Sequence, residues 1–261
     1  MSQATSLYVD GDSLLHRLDP RAKLALSFAL FVPAYVFGRP SFIVLPLAVA
    51  LAGLLYGGGL RNLRRIWFII VALFVVGLIV WPGFVERGGP VLVDLGPIFL
   101  TEDQFLFAMG RSLRIATFVI TGLAYVSTTA NEELVRGMRG LGLPYAFCFA
   151  VGTALRLFPT FLGAAGTVRQ AQEARGLDLS SNNPIQRLRN FVPLLIPVFM
   201  TAFRNVETQS MALEARGFDT RRERTFYRDS AFGAGDWGAV VLALVVAGAA
   251  IALSTTGVGT F

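Results

Sequence analysis

The chain has 261 residues, 54% of them hydrophobic and only 15% charged, with a mean hydropathy of +0.60. Soluble domains carry roughly 25% charged residues, so this composition excludes an ordinary water-soluble globule and predicts an integral protein of the lipid bilayer. The net charge of +6 comes with one Cys (Cys148) and one His (His16), which excludes a disulfide framework and a metal site built from Cys or His.

Residues 1–23 are polar, with no apolar run at the start, so no cleaved signal peptide is predicted. His16 lies in this stretch and is read as a surface residue. Asp19-Pro20 reads as a helix start, with Asp as N-cap and Pro in the first helical position. Apolar residues run from Leu24 to Phe37, Gly38-Arg39-Pro40 interrupts them, and a second run continues from Ser41 to Tyr56. Each run is about 15 residues, roughly 22 Å of helix against a hydrocarbon core of ~30 Å, so a helical hairpin that draws in its polar flanks is expected. Gly57-Gly58-Gly59 and Arg61, Arg64 and Arg65 lead to a third span, Ile66–Trp81, with Trp67 and Trp81 as interfacial anchors. Residues 82–104, rich in Gly, Pro and acids, read as an external loop with a β-like stretch at Val91-Leu92-Val93. Phe105–Ser127 is a fourth span, and Arg111 and Arg114 in its first half are read as snorkelling, with a polar contact to a partner buried in the membrane as the alternative.

Asn131-Glu132-Glu133 starts a short helix that carries Arg136 and Arg139. Two apolar stretches follow, Tyr145–Phe158 and Phe191–Phe203, each expected to be broken by proline, at Pro159 and at Pro193 and Pro197. A polar loop with Arg221, Arg222, Arg224 and Arg228 precedes a last span from Trp237 to about Leu253. A cytoplasmic N-terminus puts Arg17, Arg21, Lys23, Arg61, Arg64, Arg65, Arg136 and Arg139 inside, against Arg39 and Arg87 outside, as the positive-inside rule requires. Arg187 and Arg189 obey the same rule if the two intermediate stretches lie along the cytoplasmic interface instead of crossing. The predicted fold is all-α: a multi-span helical membrane protein with a cytoplasmic coupling-helix domain. Residues 1–130 form about four spans, 131–230 the coupling domain, and 231–261 the final span.

Two octapeptides carry the sharpest signal. Residues 171–178 and 212–219 agree at six of eight positions and lie 41 residues apart. In each, arginine followed by glycine reads as a helix stopping, with the glycine in the left-handed cap position. Capping alone does not require the flanking Ala, Glu and Asp to recur. Ala174, Arg175 and Gly176, and Ala215, Arg216 and Gly217, are therefore the candidate docking residues, supported by Glu173 and Glu214. Guanidinium forks pair with carboxylates or carbonyls, and small alanines admit a close partner. Upstream, Phe161, Leu162, Ala165 and Val168, and likewise Val198, Phe199, Ala202, Phe203 and Val206, fall at helical spacing, and Arg169 and Glu173 form an i,i+4 pair. No phosphate-cradling glycine loop, His-Glu-x-x-His or nucleophile elbow occurs, so no catalytic residue and no cofactor is assigned. Embedded acids are scarce, which disfavours ion coupling, and no pattern for nucleic acid is present.

On these residues the chain resembles the transmembrane coupling subunits, or T components, of energy-coupling factor (ECF) transporters, ABC importers of vitamins and transition-metal ions. The resemblance covers nearly the whole chain, and the paired Ala-Arg-Gly signatures are its most specific part. Supporting elements are residues 15–23, with Asp19, Pro20 and Arg21; Thr128-Thr129 with Glu132-Glu133-Leu134; and Ala154-Leu155-Arg156-Leu157-Phe158-Pro159. Where the family often has an acid shortly after that proline, this chain has Leu162-Gly163-Ala164-Ala165. The resemblance implies a prokaryotic cell membrane and two ABC ATPase subunits, identical or different, each receiving one of the Arg175 and Arg216 tips in a groove. ATP-driven closure would move the tips, and the membrane part would pass the motion to a separate substrate-binding S component. Two other readings are a substrate-binding permease of an ordinary ABC importer and an intramembrane enzyme. The first expects one coupling loop instead of two tips, and the second expects buried catalytic polar groups.

Overall fold

The computed structural model describes residues 8–84, 90–94, 99–177, 183–219, 232–257 and 259. Glu86, Arg87, Asp178, Arg221, Arg222, Arg224 and Arg228 lie outside the described residues. Contacts divide the chain into two units, Gln3–Leu141 with Ser230–Phe261, and Gly142–Asp229. Both are helical; the strands among the described residues are one short antiparallel hairpin, β1 (Val91–Asp94) with β2 (Phe99–Thr101).

The first unit holds α1 (Leu14–Arg17), α2 (Pro20–Val36), α3 (Pro40–Tyr56), α4 (Leu60–Val80), α5 (Glu102–Thr128), α6 (Asn131–Gly140) and α9 (Ala234–Thr255). Both hairpin helices begin with proline in the first turn, where its missing N–H costs nothing. Asp19 caps α2 by accepting from the Arg21 N–H at 2.9 Å. At the start of α5, Thr101 and Gln104 form a reciprocal capping box. α5 is the central post, packed by α2, α3 and α4. Half of its apolar window is buried, against 6% for α4 and 11% for α9, which turn most of their apolar residues outward. Ala50, Leu54, Ile120 and Leu123 form the core between α3 and α5. Gly110 lets α5 meet the carbonyl of Gly38 at the α2–α3 turn, where a Cβ has no room.

The second unit contains α7 (Tyr145–Ala174) and α8 (Pro184–Ala215). The sequence predicted breaks at Pro159, Pro193 and Pro197, but each helix runs straight through them. A proline removes one backbone donor and strains one turn, and helices of 30 and 32 residues retain enough other bonds to continue. The two helices pair antiparallel. Gln172, near the end of α7, donates to the Pro193 carbonyl at 3.4 Å. At the other end, the Phe149 and Phe218 rings lie 4.6 Å apart, and Tyr145 flanks them. Four helical segments, Leu60–Phe84, Glu102–Thr128, Tyr145–Ala174 and Ala234–Thr255, are long and apolar enough to cross a membrane.

Candidate functional site

The two octapeptides fold into the same helix end. α7 stops at Ala174, Arg175 adopts φ −87° and ψ 6°, and Gly176 takes φ +88°. α8 stops at Ala215, Arg216 adopts φ −88° and ψ 5°, and Gly217 takes φ +65°. The Gly176 N–H reaches the Glu173 carbonyl at 3.0 Å, and the Leu177 N–H reaches that of Gln172 at 3.0 Å. In the second copy the Gly217 N–H bonds to Glu214 at 2.9 Å and the Phe218 N–H to Leu213 at 3.0 Å. Both are Schellman caps, in which a left-handed glycine turns the chain back over the last carbonyls. The sequence-level expectation of arginine followed by a capping glycine thus matches the backbone at both sites.

The cap also fixes where the side chains go. Ala174, Arg175, Gly176, Ala215, Arg216 and Gly217 are all exposed, as are Glu173 and Glu214. A Cβ placed on Gly176 or Gly217 would meet no atom within 4 Å, so these glycines are required by the backbone and not by crowding inside the chain. Glu173 is held by Arg169 at 2.8 Å, whereas neither Arg175 nor Arg216 is hydrogen-bonded or ion-paired through its guanidinium among the described residues. Both arginines thus stand exposed at capped helix ends. The antiparallel pairing sets the tips at opposite ends of the helix pair. Arg175 sits near Pro193 and Arg216 near Tyr145, about 34 Å apart along α8 at 1.5 Å per residue.

Asp19, Pro20 and Arg21 belong to the first unit, and the structure joins them there to the other motif elements. Lys23, only 4% exposed, gives its ammonium to the Thr128 carbonyl at 2.7 Å, Glu133 Oε2 at 3.2 Å and the His16 carbonyl at 3.3 Å. The Asp19 N–H donates to Asp236 Oδ1 at 2.7 Å, and Asp236 Oδ2 accepts from the Gly233 N–H at 2.9 Å, which staples the starts of α2 and α9 together. Gly137 on α6 faces Pro20 too closely for a Cβ, and Gly140 faces the Arg21 guanidinium. Hence α6 packs on α2 and groups with the first unit, although the sequence placed residues 131–140 with the coupling region.

Two further expectations are corrected here. His16 is half-buried, not a surface residue: its ring bonds to Ser13 Oγ at 2.7 Å and to the Val9 carbonyl at 2.8 Å. Arg114 does not snorkel. It is 9% exposed and donates through Nε to the Ala34 carbonyl at 2.7 Å and through Nη2 to the Phe37 carbonyl at 2.9 Å, so it caps the end of α2. Carbonyls left open by a helix end are a better destination than a long climb to the interface. Arg111 turns to the rings of Phe107 at 4.9 Å and Trp81 at 5.6 Å.

Sequence reasoning singled out the tips and residues 15–23 but not the junction that Lys23 makes. The available signals were that Lys23 is the one lysine among 23 basic residues and that α6 carries Gly137 and Gly140 three apart. Residues 11–227 match the family described as CbiQ, cobalt transport protein. The chain is similar to proteins named energy-coupling factor transporter transmembrane protein EcfT. It is 32% identical to that of Limosilactobacillus fermentum, over 92% of each chain. Identity is 31% to that of Thermosediminibacter oceani, over 84% of this chain and 85% of the relative. For Bacillus subtilis it is 29%, over 92% and 94%.

Proposed function

The chain belongs to the CbiQ and EcfT family and is a membrane-embedded T component of an ECF transporter, not itself catalytic, and from that premise we propose that it couples two ABC ATPase subunits, identical or different, to a substrate-binding S component for uptake of a vitamin or a transition-metal ion. The observation that carries this reading is the repeated tip. The same Schellman cap presents the same exposed Ala-Arg-Gly at both ends of one antiparallel helix pair. One tip per ATPase suits a pair of similar grooves, because two equivalent contacts on one scaffold reinforce each other.

Both tips must face the same side of the membrane for this to work. An antiparallel pair standing across the bilayer would put them on opposite sides. α7 and α8 therefore lie along the cytoplasmic interface, where exposed apolar residues of α8 such as Ile185, Leu188, Phe199 and Phe203 enter the acyl boundary. The N-terminus, with Arg17, Arg21 and Lys23, is cytoplasmic by the same charge asymmetry.

Arg216→Glu tests the docking. Loss of one partner of a buried, hydrogen-bonded charge pair costs on the order of 2–5 kcal/mol, and reversal adds repulsion. In pull-downs of the ATPases across a salt series, Arg216→Glu retains less than Arg216→Ala, and both retain less than wild type. Equal retention by wild type and Arg216→Glu would rule out an acceptor groove at this tip.

A further inference from the structure

α4 turns one face to its neighbours and the opposite face away from the chain. Asn62 is buried, and Leu63, Ile66 and Ile70 pack on the core of the first unit. At about 100° per residue, Arg61, Arg64 and Arg65 fall on the opposite side, and all three are exposed. They sit at i, i+3 and i+4, so their Cβ atoms are about 5–6 Å apart. The guanidiniums of Arg61 and Arg64 have no hydrogen bond or ion pair among the described residues. The same line continues through Phe68, Val75 and Ile79, exposed at 70%, 45% and 73%. One strip of the helix is therefore cationic at its start and hydrocarbon beyond.

Nothing inside the helix favours this arrangement. Like charges one turn apart repel, and cations at the start of a helix oppose its dipole, while the first turn carries no acid. The rule that sets topology counts cations on each side of the membrane and is indifferent to the face they take. Their convergence on the outward face calls for an anion there. α4 is long and apolar enough to cross the bilayer, and only 6% of its apolar window is buried, so the strip faces lipid. Lipid phosphates stand where the hydrocarbon ends, and Trp67, its ring 6.3 Å from that of Phe68, marks that boundary just past the arginines. A second copy does not suit this strip. Two copies inserted the same way would meet there with their arginines at one depth, cation against cation.

We propose that this strip of α4 is a binding site for an anionic phospholipid, its phosphate held by Arg61 and Arg64 and an acyl chain laid along Phe68 and Val75. Arg65, on the same face, adds its charge to the field at the phosphate. Guanidinium forks accept the phosphate of any phospholipid, but the ammonium of a zwitterionic headgroup opposes them. The site therefore selects for net negative charge, by about fivefold per arginine.

The full chain in nanodiscs of phosphatidylcholine, with Trp67 as its only tryptophan (Trp81→Phe, Trp237→Phe), tests this by fluorescence quenching. The quenchers are phosphatidylglycerol and phosphatidylcholine, each brominated high on one acyl chain. Brominated phosphatidylglycerol is expected to quench Trp67 saturably, with a midpoint at a mole fraction about tenfold below that of brominated phosphatidylcholine. Arg61→Gln with Arg64→Gln, both at exposed positions, reduces this preference about fivefold or more. Arg189→Gln with Arg204→Gln removes the same charge from exposed positions on α8 and leaves the preference as it was. Equal quenching by the two lipids, an unchanged preference in the Arg61 and Arg64 variant, or an equal loss in the α8 variant would overturn the proposal. Weak quenching by both lipids would show that protein covers this face, a second copy included, and would overturn it as well.

Discussion

Lys23 shows how much one side chain can hold. Its ammonium ties α2 to the end of α5 and to α6, and it draws the segment at His16 against both. Lys23→Met keeps the length but leaves the Thr128 carbonyl and Glu133 without their donor. Stranding buried partners costs about 3 kcal/mol. The variant is therefore expected to lose most of its thermal stability in detergent, read as a lower midpoint for loss of the monodisperse peak, with Arg216→Ala as an unaffected control. An unchanged midpoint for Lys23→Met would show that the junction does not stabilise the fold. Little of this was legible in advance. Two of the three partners of Lys23, Thr128 and Glu133, lie about a hundred residues away, and a helical pattern carries no information on what meets it across a bundle. The same reason explains Arg114, whose acceptors at Ala34 and Phe37 belong to another helix end. The local features, Asp19 as a cap and glycine after arginine, were readable because capping depends on neighbours in sequence.

At the scale of the element, the caps determine how rigid the tips are. Alanine at Gly176 or Gly217 meets no atom of the chain, so its cost is conformational alone, roughly 1 kcal/mol for a left-handed residue. Gly176→Ala and Gly217→Ala should each speed amide exchange at Leu177 or Phe218 about fivefold, the factor that about 1 kcal/mol implies. Unaltered exchange in both would mean that the helix ends do not depend on the Schellman bonds. Helix positions were largely legible, since hydrophobic runs bounded by charge and glycine match α3, α5 and α9 to within a few residues and α4 to within six. The prolines misled. Pro159, Pro193 and Pro197 look like breaks in a one-dimensional reading, yet α7 and α8 absorb them. The antiparallel pairing that separates the tips rests on Phe149, Phe218 and Gln172, contacts that no periodicity announces.

For the whole molecule, the family assignment and the membrane class were already present in composition and in the repeated octapeptide, because both are properties of sequence alone. The orientation is a matter of charge on either side of the membrane, and cysteine labelling reads it directly. In a Cys148→Ser background, Asn183→Cys is expected to stay unlabelled by an impermeant thiol reagent in intact cells and to react once the membrane is opened. Strong labelling from outside would place the segment between the tips on the wrong side for docking ATPases there. The central claim, that the two arginine tips act together, is tested most directly by reconstituting the chain with its ATPases and S component and measuring ATP hydrolysis and uptake in the same vesicles. Arg175→Ala and Arg216→Ala should each lower uptake with the chain still in the membrane, since a helix-end charge contributes only about 0.3–1 kcal/mol to the fold. The double variant should lose ATPase association, or hydrolyse without uptake, far beyond either single change, because the second contact on one scaffold is intramolecular. Normal uptake by the double variant would contradict the account and reduce both arginines to helix caps.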